Sequence, residues 1–271
     1  MKIPPGEIPD PLDDTTRRRF DVAPDLRFRF DVDDAVMTWW RDALGPAGLY
    51  PRELAVALAG RTDHRCEFEY TACDPDKGHL RLESKGFDGD VPAFFSGRSL
   101  EFDRRVVHLD KTSIQDGYKG EGTGSILLAN ALFVADRLAF ARLELLAAMD
   151  GTYVWARAGF LIDDKTWGPE YAERLRAPIR ERLYAIPRRD LDEAKRDLLL
   201  SLVDQGRDTM LWDLVDVAGS TTSVKTPHDR VPLGRALLAE TDASWYGFMP
   251  TAPGEARRRL EDYLRKKAAI G

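Results

Sequence analysis

The sequence predicts an α/β fold: a mixed α+β sheet flanked by helices, with a mainly helical C-terminal extension. Three observations predict it. Between residues 24 and 114, short runs alternate apolar and polar residues with the period of two that a half-buried strand requires. From Ile126 the period lengthens: Ile126, Leu127, Asn130, Ala131, Val134 and Leu138 recur at helical spacing, and the apolar run 142–147 follows as a central strand. Beyond about residue 165 helical stretches dominate.

Composition bounds the rest. The 271 residues allow one large domain or a domain with a subdomain. Forty Lys and Arg against 46 Asp and Glu leave a net charge of −6, so a polyanionic nucleic acid is disfavoured as the main partner. Two cysteines, Cys66 and Cys73, are too few for a disulfide-built secreted fold and suit a reducing cytoplasm. The start, MKIPPGEIPDPLDD, has no apolar stretch of the signal-peptide kind. No run of about 18 apolar residues exists, so no membrane-spanning helix is expected.

Taken in order, residues 1–22 read as a flexible or draped arm, rich in proline and charge. Leu26, Phe28, Phe30 and Val32 mark a strand. Asp33 or Asp34 caps a helix through Leu44, where Gly45 and Pro46 stop it. Pro51 opens a second helix that ends near Gly60. Cys66, Phe68 and Tyr70 form a strand, residues 74–78 turn, and residues 79–85 return as its hairpin partner. Residues 100–103 extend or edge this sheet, and 106–114 is the next strand. The order is therefore strand, two helices, three strands, helix, strand, and a short helical segment from Asp150. A strand–helix–strand crossover makes the last two strands parallel. In the tail, 167–185, 191–205 and 208–217 read as helices, 219–227 as a loop, 245–249 as a strand and 255–267 as a charged amphipathic helix. Residues 23–165 are the expected core, and 166–271 an extension packed on it.

The chemistry concentrates at residues 117–125, GYKGEGTGS, between a strand and a helix. Alternate glycines let backbone approach a ligand with no Cβ in the way. The first helical turn offers unpaired amides and the positive end of the helix dipole, which together suit a phosphate or pyrophosphate. A bare strand-to-helix turn is the plain alternative. No Gly-Lys-Ser or Gly-Lys-Thr follows, and the glycine spacing 120, 122, 124 departs from the dinucleotide fingerprint.

Lys119, Gly122 and Gly124, with the apolar helix behind them, resemble the pyrophosphate motif of the GNAT acyltransferase superfamily. Residues 150–160, DGTYVWARAGF, resemble that family's last motif through Trp155, Gly159 and Phe160. The resemblance covers roughly residues 24–165. It implies a GNAT-type acyl-CoA-binding fold, an acyl-CoA-dependent N-acyltransferase with acetyl-CoA as default donor, and a small-molecule or peptide amine as acceptor. It implies that Ile114 and the turn Lys119, Gly120, Glu121, Gly122, Thr123, Gly124 and Ser125 hold the coenzyme. The amides of Gly120, Gly122, Gly124 and Ser125 would meet the pyrophosphate, and the backbone at Ile114 the pantetheine arm and the thioester oxygen. Asp110, four residues before Ile114 and expected on its strand face, is the candidate general base. His108, sharing that face, is the rival, and a salt-bridged Asp110 is the plain alternative.

Two departures from the family stand out. Lys119 replaces the usual Arg or Gln and supplies no planar fork. Trp155 stands where many members place a tyrosine that protonates the leaving thiolate, and an indole N–H is a poor acid. A catalytically weak GNAT-like module that binds CoA or a partner protein is the rival reading. His64, Cys66, Cys73 and His79 match no common zinc spacing, so no metal is expected.

Overall fold

The computed structural model describes residues 12–21, 23–60 and 62–268. By internal contacts the chain divides into two compact units, one formed within residues 1–143 with the chain's C-terminal end from Lys266, the other from residues 144–265.

The first unit begins with a short helix, α1 (Asp14–Arg18), capped by the Asp13 carboxylate, which accepts from the Thr16 amide at 2.6 Å. Arg17 pairs with Asp34 at 2.7 Å, and Phe20 is buried edge-on against Trp40. Residues 1–11 and 22 of the expected arm lie outside the described residues. Strand β1 (Leu26–Phe28) is shorter than the alternation through Val32 suggested. Helix α2 (Asp34–Ala43) is capped by Asp33, and α3 (Pro51–Ala59) opens on its proline. Four strands follow as an antiparallel meander: β2 (Arg65–Asp74), β3 (His79–Asp88), β4 (Val91–Glu101) and β5 (Val106–Ile114). β1 adds to β2 in parallel, with Leu26 opposite Phe68. Helix α4 (Thr123–Arg137) closes the run.

β4 corrects the sequence reading. Three strands were expected between the second helix and the glycine turn, with 100–103 extending or edging the sheet, and there are four. β4 is buried along most of its length, so Phe94, Phe95, Ser96, Gly97, Arg98, Ser99 and Leu100 show no clean alternation. Pro92 and Gly97 also read as punctuation, although β4 lies between β3 and β5 in the sheet.

The β4–β5 register shifts between Gly97 and Ser99. Gly97 pairs with Lys111 and Ser99 with His108, so the single residue Arg98 faces both Leu109 and Asp110. This is a β-bulge, and it changes which side chains share a face. Leu80, Leu82, Phe94, Arg98, Leu100, Val107 and Leu109 are buried on one side. There Trp40 of α2 stands edge-on to Tyr70, whose hydroxyl donates to the Pro51 carbonyl of α3 at 2.7 Å. The other side carries half-exposed charge, including Arg81, Glu83 and Glu101.

In the second unit, β6 (Arg142–Ala147, of which 144–147 belong here) and α5 (Gly151–Arg157) precede β7 (Leu161–Ile162). Then come α6 (Ala172–Ala185), α7 (Glu193–Gln205), α8 (Met210–Val215), the hairpin of β8 (Ser220–Thr222) and β9 (Arg230–Pro232), α9 (Leu233–Leu238), β10 (Trp245–Pro250) and α10 (Glu255–Ala268, of which 255–265 belong here). Its strands order β6-β10-β7, with β10 antiparallel to β7 and Gly247 opposite Ile162. Hydrogen bonds tie distant segments together: Trp212 Nε1 donates to the Phe160 carbonyl at 3.0 Å, and Thr152 Oγ1 to the Leu238 carbonyl at 2.6 Å. Residues 166–265 thus share one compact unit with 144–165. The C-terminal extension is mainly helical, as the sequence predicts. β8 overturns part of the loop expected at 219–227, and β7, β9 and α9 were unread, because two to six residues show no period.

Among the described residues, no helix is long and apolar enough to cross a membrane.

Candidate functional site

The glycine turn lies in the first unit, between β5 and α4. Residues Asp116–Tyr118 form one 3-10 turn, and Lys119 then extends at φ −68°, ψ 134°. Gly120 and Gly122 take φ 95° and 90°, the left-handed region that favours glycine. Gly122 is the N-cap of α4 and its carbonyl accepts from the amides of Ser125 at 2.8 Å and Ile126 at 3.0 Å. Among the described residues, the amides of Gly120, Glu121, Gly122, Thr123 and Gly124 have no hydrogen-bond acceptor. A Cβ placed on Gly120 or Gly122 would meet nothing within 4 Å, so open space stands beside these two glycines. A Cβ on Gly124 would lie 3.1 Å from Ile114 Cδ1, which sets the Ile114 side chain against the start of α4.

This cradle has the chemistry a pyrophosphate needs: clustered N–H donors, a helix N-terminus and no side chain in the way. It gains little from side-chain charge. Lys119 Nζ lies 2.8 Å from Asp116, and that hydrogen bond holds the exposed Asp116 carboxyl below its usual range. Glu121 is exposed beside it. Tyr118 turns its ring edge to His64, with centroids 5.6 Å apart, and its hydroxyl donates to Asp88 at 3.3 Å. Loss of hydration and then the Asp88 charge push the Tyr118 phenol above its ordinary range.

The candidate bases stand on β5. Asp110 Oδ2 accepts from Ser99 Oγ at 2.6 Å and lies 4.0 Å from Arg81. His108 Nε2 lies 2.8 Å from Glu101 and 3.3 Å from Arg104. The two share a face, as expected. The expectation that Asp110 shares that face with Ile114 fails. Past the bulge Ile114 pairs with Phe94 and Thr112 with Ser96, on the helix-covered side, whereas Asp110 and His108 stand with Ser99 on the charged side. A residue count of four implies one face only when the ladder has no bulge.

In the second unit, Trp155 sits on α5 with its ring 5.4 Å from Phe160, edge-on, and its Nε1 would be 3.1 Å from a Cβ on Gly151. Gly159 takes φ 97°, and a Cβ there would press on the Ala256 carbonyl at 3.0 Å. Phe160 is fully buried. The last motif therefore forms a packed corner.

Other sequence candidates are placed as follows. His64 lies against Phe94 as well as Tyr118. Cys66 Sγ reaches the Ala59 carbonyl at 3.5 Å, and Cys73 is a free thiol pushed up to about 12, chiefly by burial. His79 pairs across the hairpin with Asp74. Much of the arginine cluster from 174 to 189 is engaged within its unit, as in Arg180–Asp204 at 2.6 Å and Arg182–Glu240 at 3.5 Å.

Sequence reasoning missed Ser99 and Arg98. Ser99 is 5% exposed and holds Asp110; Arg98 is 1% exposed and lies at the bulge. A lone arginine between aromatic residues in a glycine-bearing run was the signal for the latter.

No protein-family model matches the chain, and no curated protein matches it. Among solved structures it is similar to nourseothricin acetyltransferase, at 20% identity over 41% of this chain and 78% of that one, with a TM-score of 0.28. It is similar to an aminoglycoside 6'-N-acetyltransferase complexed with coenzyme A, at 8% identity over 65% and 75% of the two chains, TM-score 0.27. A third is the aminoglycoside 6'-N-acetyltransferase from Enterococcus faecium, at 10% identity over 83% and 97%, TM-score 0.26. Scores this low carry nothing about the chemistry of this chain.

Proposed function

We propose that the chain is an acyl-CoA-dependent N-acyltransferase, with acetyl-CoA the default donor and a small-molecule or peptide amine the acceptor. One observation carries the reading: five consecutive backbone amides, at Gly120 to Gly124, have no acceptor among the described residues and stand at a helix N-terminus, with open space beside Gly120 and Gly122, in a turn that resembles the GNAT pyrophosphate motif. Those amides, with the main chain at Ile114, would hold the coenzyme, which supplies an activated acyl group. Lys119 and Thr123 border the same turn, and the Ser125 amide already serves the Gly122 carbonyl.

The chain's own part is to position and to move protons. An amine attacks the acyl carbon only as a free base, so its proton must leave. The Asp110 carboxylate, oriented by Ser99, is the acceptor we assign, with His108 as the rival. The leaving sulfur takes a proton from water, because Trp155, which the resemblance sets where a tyrosine would serve, packs its ring against Phe160 and has no acidic proton to give.

The same packing favours a second reading, a CoA-binding module without turnover. Thermal shift with coenzyme A and thiol release with acetyl-CoA across an amine panel, run on the same samples, separate the two. A shift with thiol release supports the transferase, and a shift without it supports the module. No shift at millimolar coenzyme removes both.

A further inference from the structure

The structure assigns Arg98 the role of a positioning residue that clamps the β4–β5 bulge and so aims Asp110 at the charged face of the sheet. The inference rests on the proposed reading of Asp110 as proton acceptor.

The clamp is built from main chain. Arg98 Nη1 donates to the Gly97 carbonyl at 2.7 Å and to the Lys111 carbonyl at 3.1 Å, and Nη2 donates to Thr112 Oγ1 at 3.1 Å. One guanidinium thus joins β4 to the two residues of β5 that follow the bulge. Among the described residues, no carboxylate lies within ion-pair distance, and Nε has no acceptor. The side chain is buried on the helix-covered face, among Leu82, Leu100 and Leu109. Burial pulls the guanidinium down to about 10, so it remains charged at neutral pH. A buried cation with no direct ion pair, helped only by the Asp110 charge at a distance, is costly, and an apolar residue would pack that site more cheaply. What the arginine supplies there is a planar fork that spans two strands, which lysine cannot copy.

The bulge is what separates the two roles of β5. Regular pairing over its whole length would put Asp110 on the face of Ile114. With the bulge, Asp110 joins Ser99 and His108, while Thr112 and Ile114 keep facing α4 and the turn. Holding the bulge therefore holds the direction of the carboxylate. It leaves the amides of Gly120 to Gly124 untouched.

The test uses the full chain as wild type, Arg98→Lys, Thr112→Val, Asp110→Asn and the double variant Arg98→Lys/Asp110→Asn. Thr112→Val removes one arm of the clamp without touching the buried charge, so the test survives if Arg98→Lys folds poorly. Amide hydrogen exchange is followed in peptides covering 106–114 and, as reference, 65–88. Exchange in 106–114 should rise at least tenfold in Arg98→Lys, with a smaller rise in Thr112→Val, while the reference stays within about twofold. In turnover, Arg98→Lys should lower kcat about tenfold or more with KM for acetyl-CoA within about threefold, and shift the pH profile. In the Asp110→Asn background it should lower kcat no further. Unchanged exchange in 106–114, or a full additional loss in the double variant, overturns the clamp. Asp110→Asn with wild-type kcat instead overturns the base assignment, and the exchange result then decides the clamp alone.

Discussion

Substituting Gly122 tests the cradle most directly, because the structure separates its backbone role from its exposure. Gly122 sits at φ 90°, ψ −9°, and an added Cβ meets nothing within 4 Å. Gly122→Ala therefore meets no clash in the folded chain, and its cost is the left-handed backbone alone, about 1–2 kcal/mol. For a chain of this size that lowers Tm by about 2–8 °C. The new methyl, however, stands in the open space beside the unpaired amides. Coenzyme A at a hundred times its Kd stabilises the wild type by about 2.7 kcal/mol, a rise of roughly 5–11 °C. A tenfold loss of affinity leaves about 1.4 kcal/mol at the same concentration, so the ligand-induced rise should fall by half or more.

Gly124→Ala is the graded comparison within the same turn. Its φ is ordinary and its methyl points at Ile114 Cδ1, 3.1 Å away and at the flexible end of a side chain, rather than into the open space. We expect a change in stability within about 0.5 kcal/mol and, because Gly124 belongs to the proposed cradle and its methyl presses on Ile114, a loss of the coenzyme-induced rise smaller than that of Gly122→Ala. Melting curves of the three proteins, each with and without coenzyme A, give the result. If Gly122→Ala melts lower as calculated yet keeps the full wild-type rise, the coenzyme is not held by these amides and the reasoning is refuted.

Three further outcomes follow from particular contacts. Trp155→Tyr restores an acidic proton while keeping a ring against Phe160. Thiol release should then be unchanged or faster if the chain is a transferase, and stay at background with coenzyme binding intact if it is a module. The Cys73 thiol is pushed from 9.0 to about 12, so between those values the unfolded chain has released a proton that the folded chain keeps. Stability from this group is intact below about pH 9 and is lost as pH rises through that window; urea melts of Cys73→Ala should show a shallower alkaline loss than wild type, and an equal slope would count against it. A chain cut after residue 165 loses β10, the partner of β7, and the Trp212 bond to the Phe160 carbonyl. It should not melt cooperatively as a monomer, and a soluble monomeric fragment with a sharp transition would show the cut to be harmless.

Legibility in the sequence followed the locality of the cause. A cap at Asp33 or Asp34 (it is Asp33), Pro51 at a helix start, and the hairpin closed by Gly78 at φ 55° were legible, because each is settled by a few adjacent residues. The glycine turn was legible for the same reason: alternate glycines before an apolar helix announce an open backbone wherever they occur. β4 was not, because burial on both faces erases the period of two. The bulge was not, because nothing in the run 106–114 marks an extra residue; it appears only when Gly97 and Ser99 are paired with Lys111 and His108. Arg98 was unread for a related reason. A charged residue in an unassigned stretch reads as surface, and its partners are carbonyls contributed by two strands. The tail's short pieces, α9 among them, owe their form to contacts such as Thr152 with Leu238, far apart in sequence.

The bulge also constrains the acceptor, given the proposed reaction. If Asp110 takes the proton, the amine must come to it from the charged side of the sheet, because the other side is filled by α3, α4 and the buried leucines. The groups waiting there are Arg81, Glu83, Ser99, Glu101 and His108, with Lys111 over the half-exposed Phe95 ring beside them. One half-exposed ring offers little apolar surface to repay the desolvation of a greasy amine, whereas hydroxyls and charges on an acceptor find donors and carboxylates of both signs. The acceptor should therefore be polar beyond its amino group. A panel matched in amine pKa and graded in polarity tests this through kcat/KM: polar members should lead, and salt should weaken their advantage because the partners are half-exposed. Faster turnover of alkylamines than of polyhydroxylated or zwitterionic amines would place the acceptor elsewhere, and would take Asp110 out of the reaction with it.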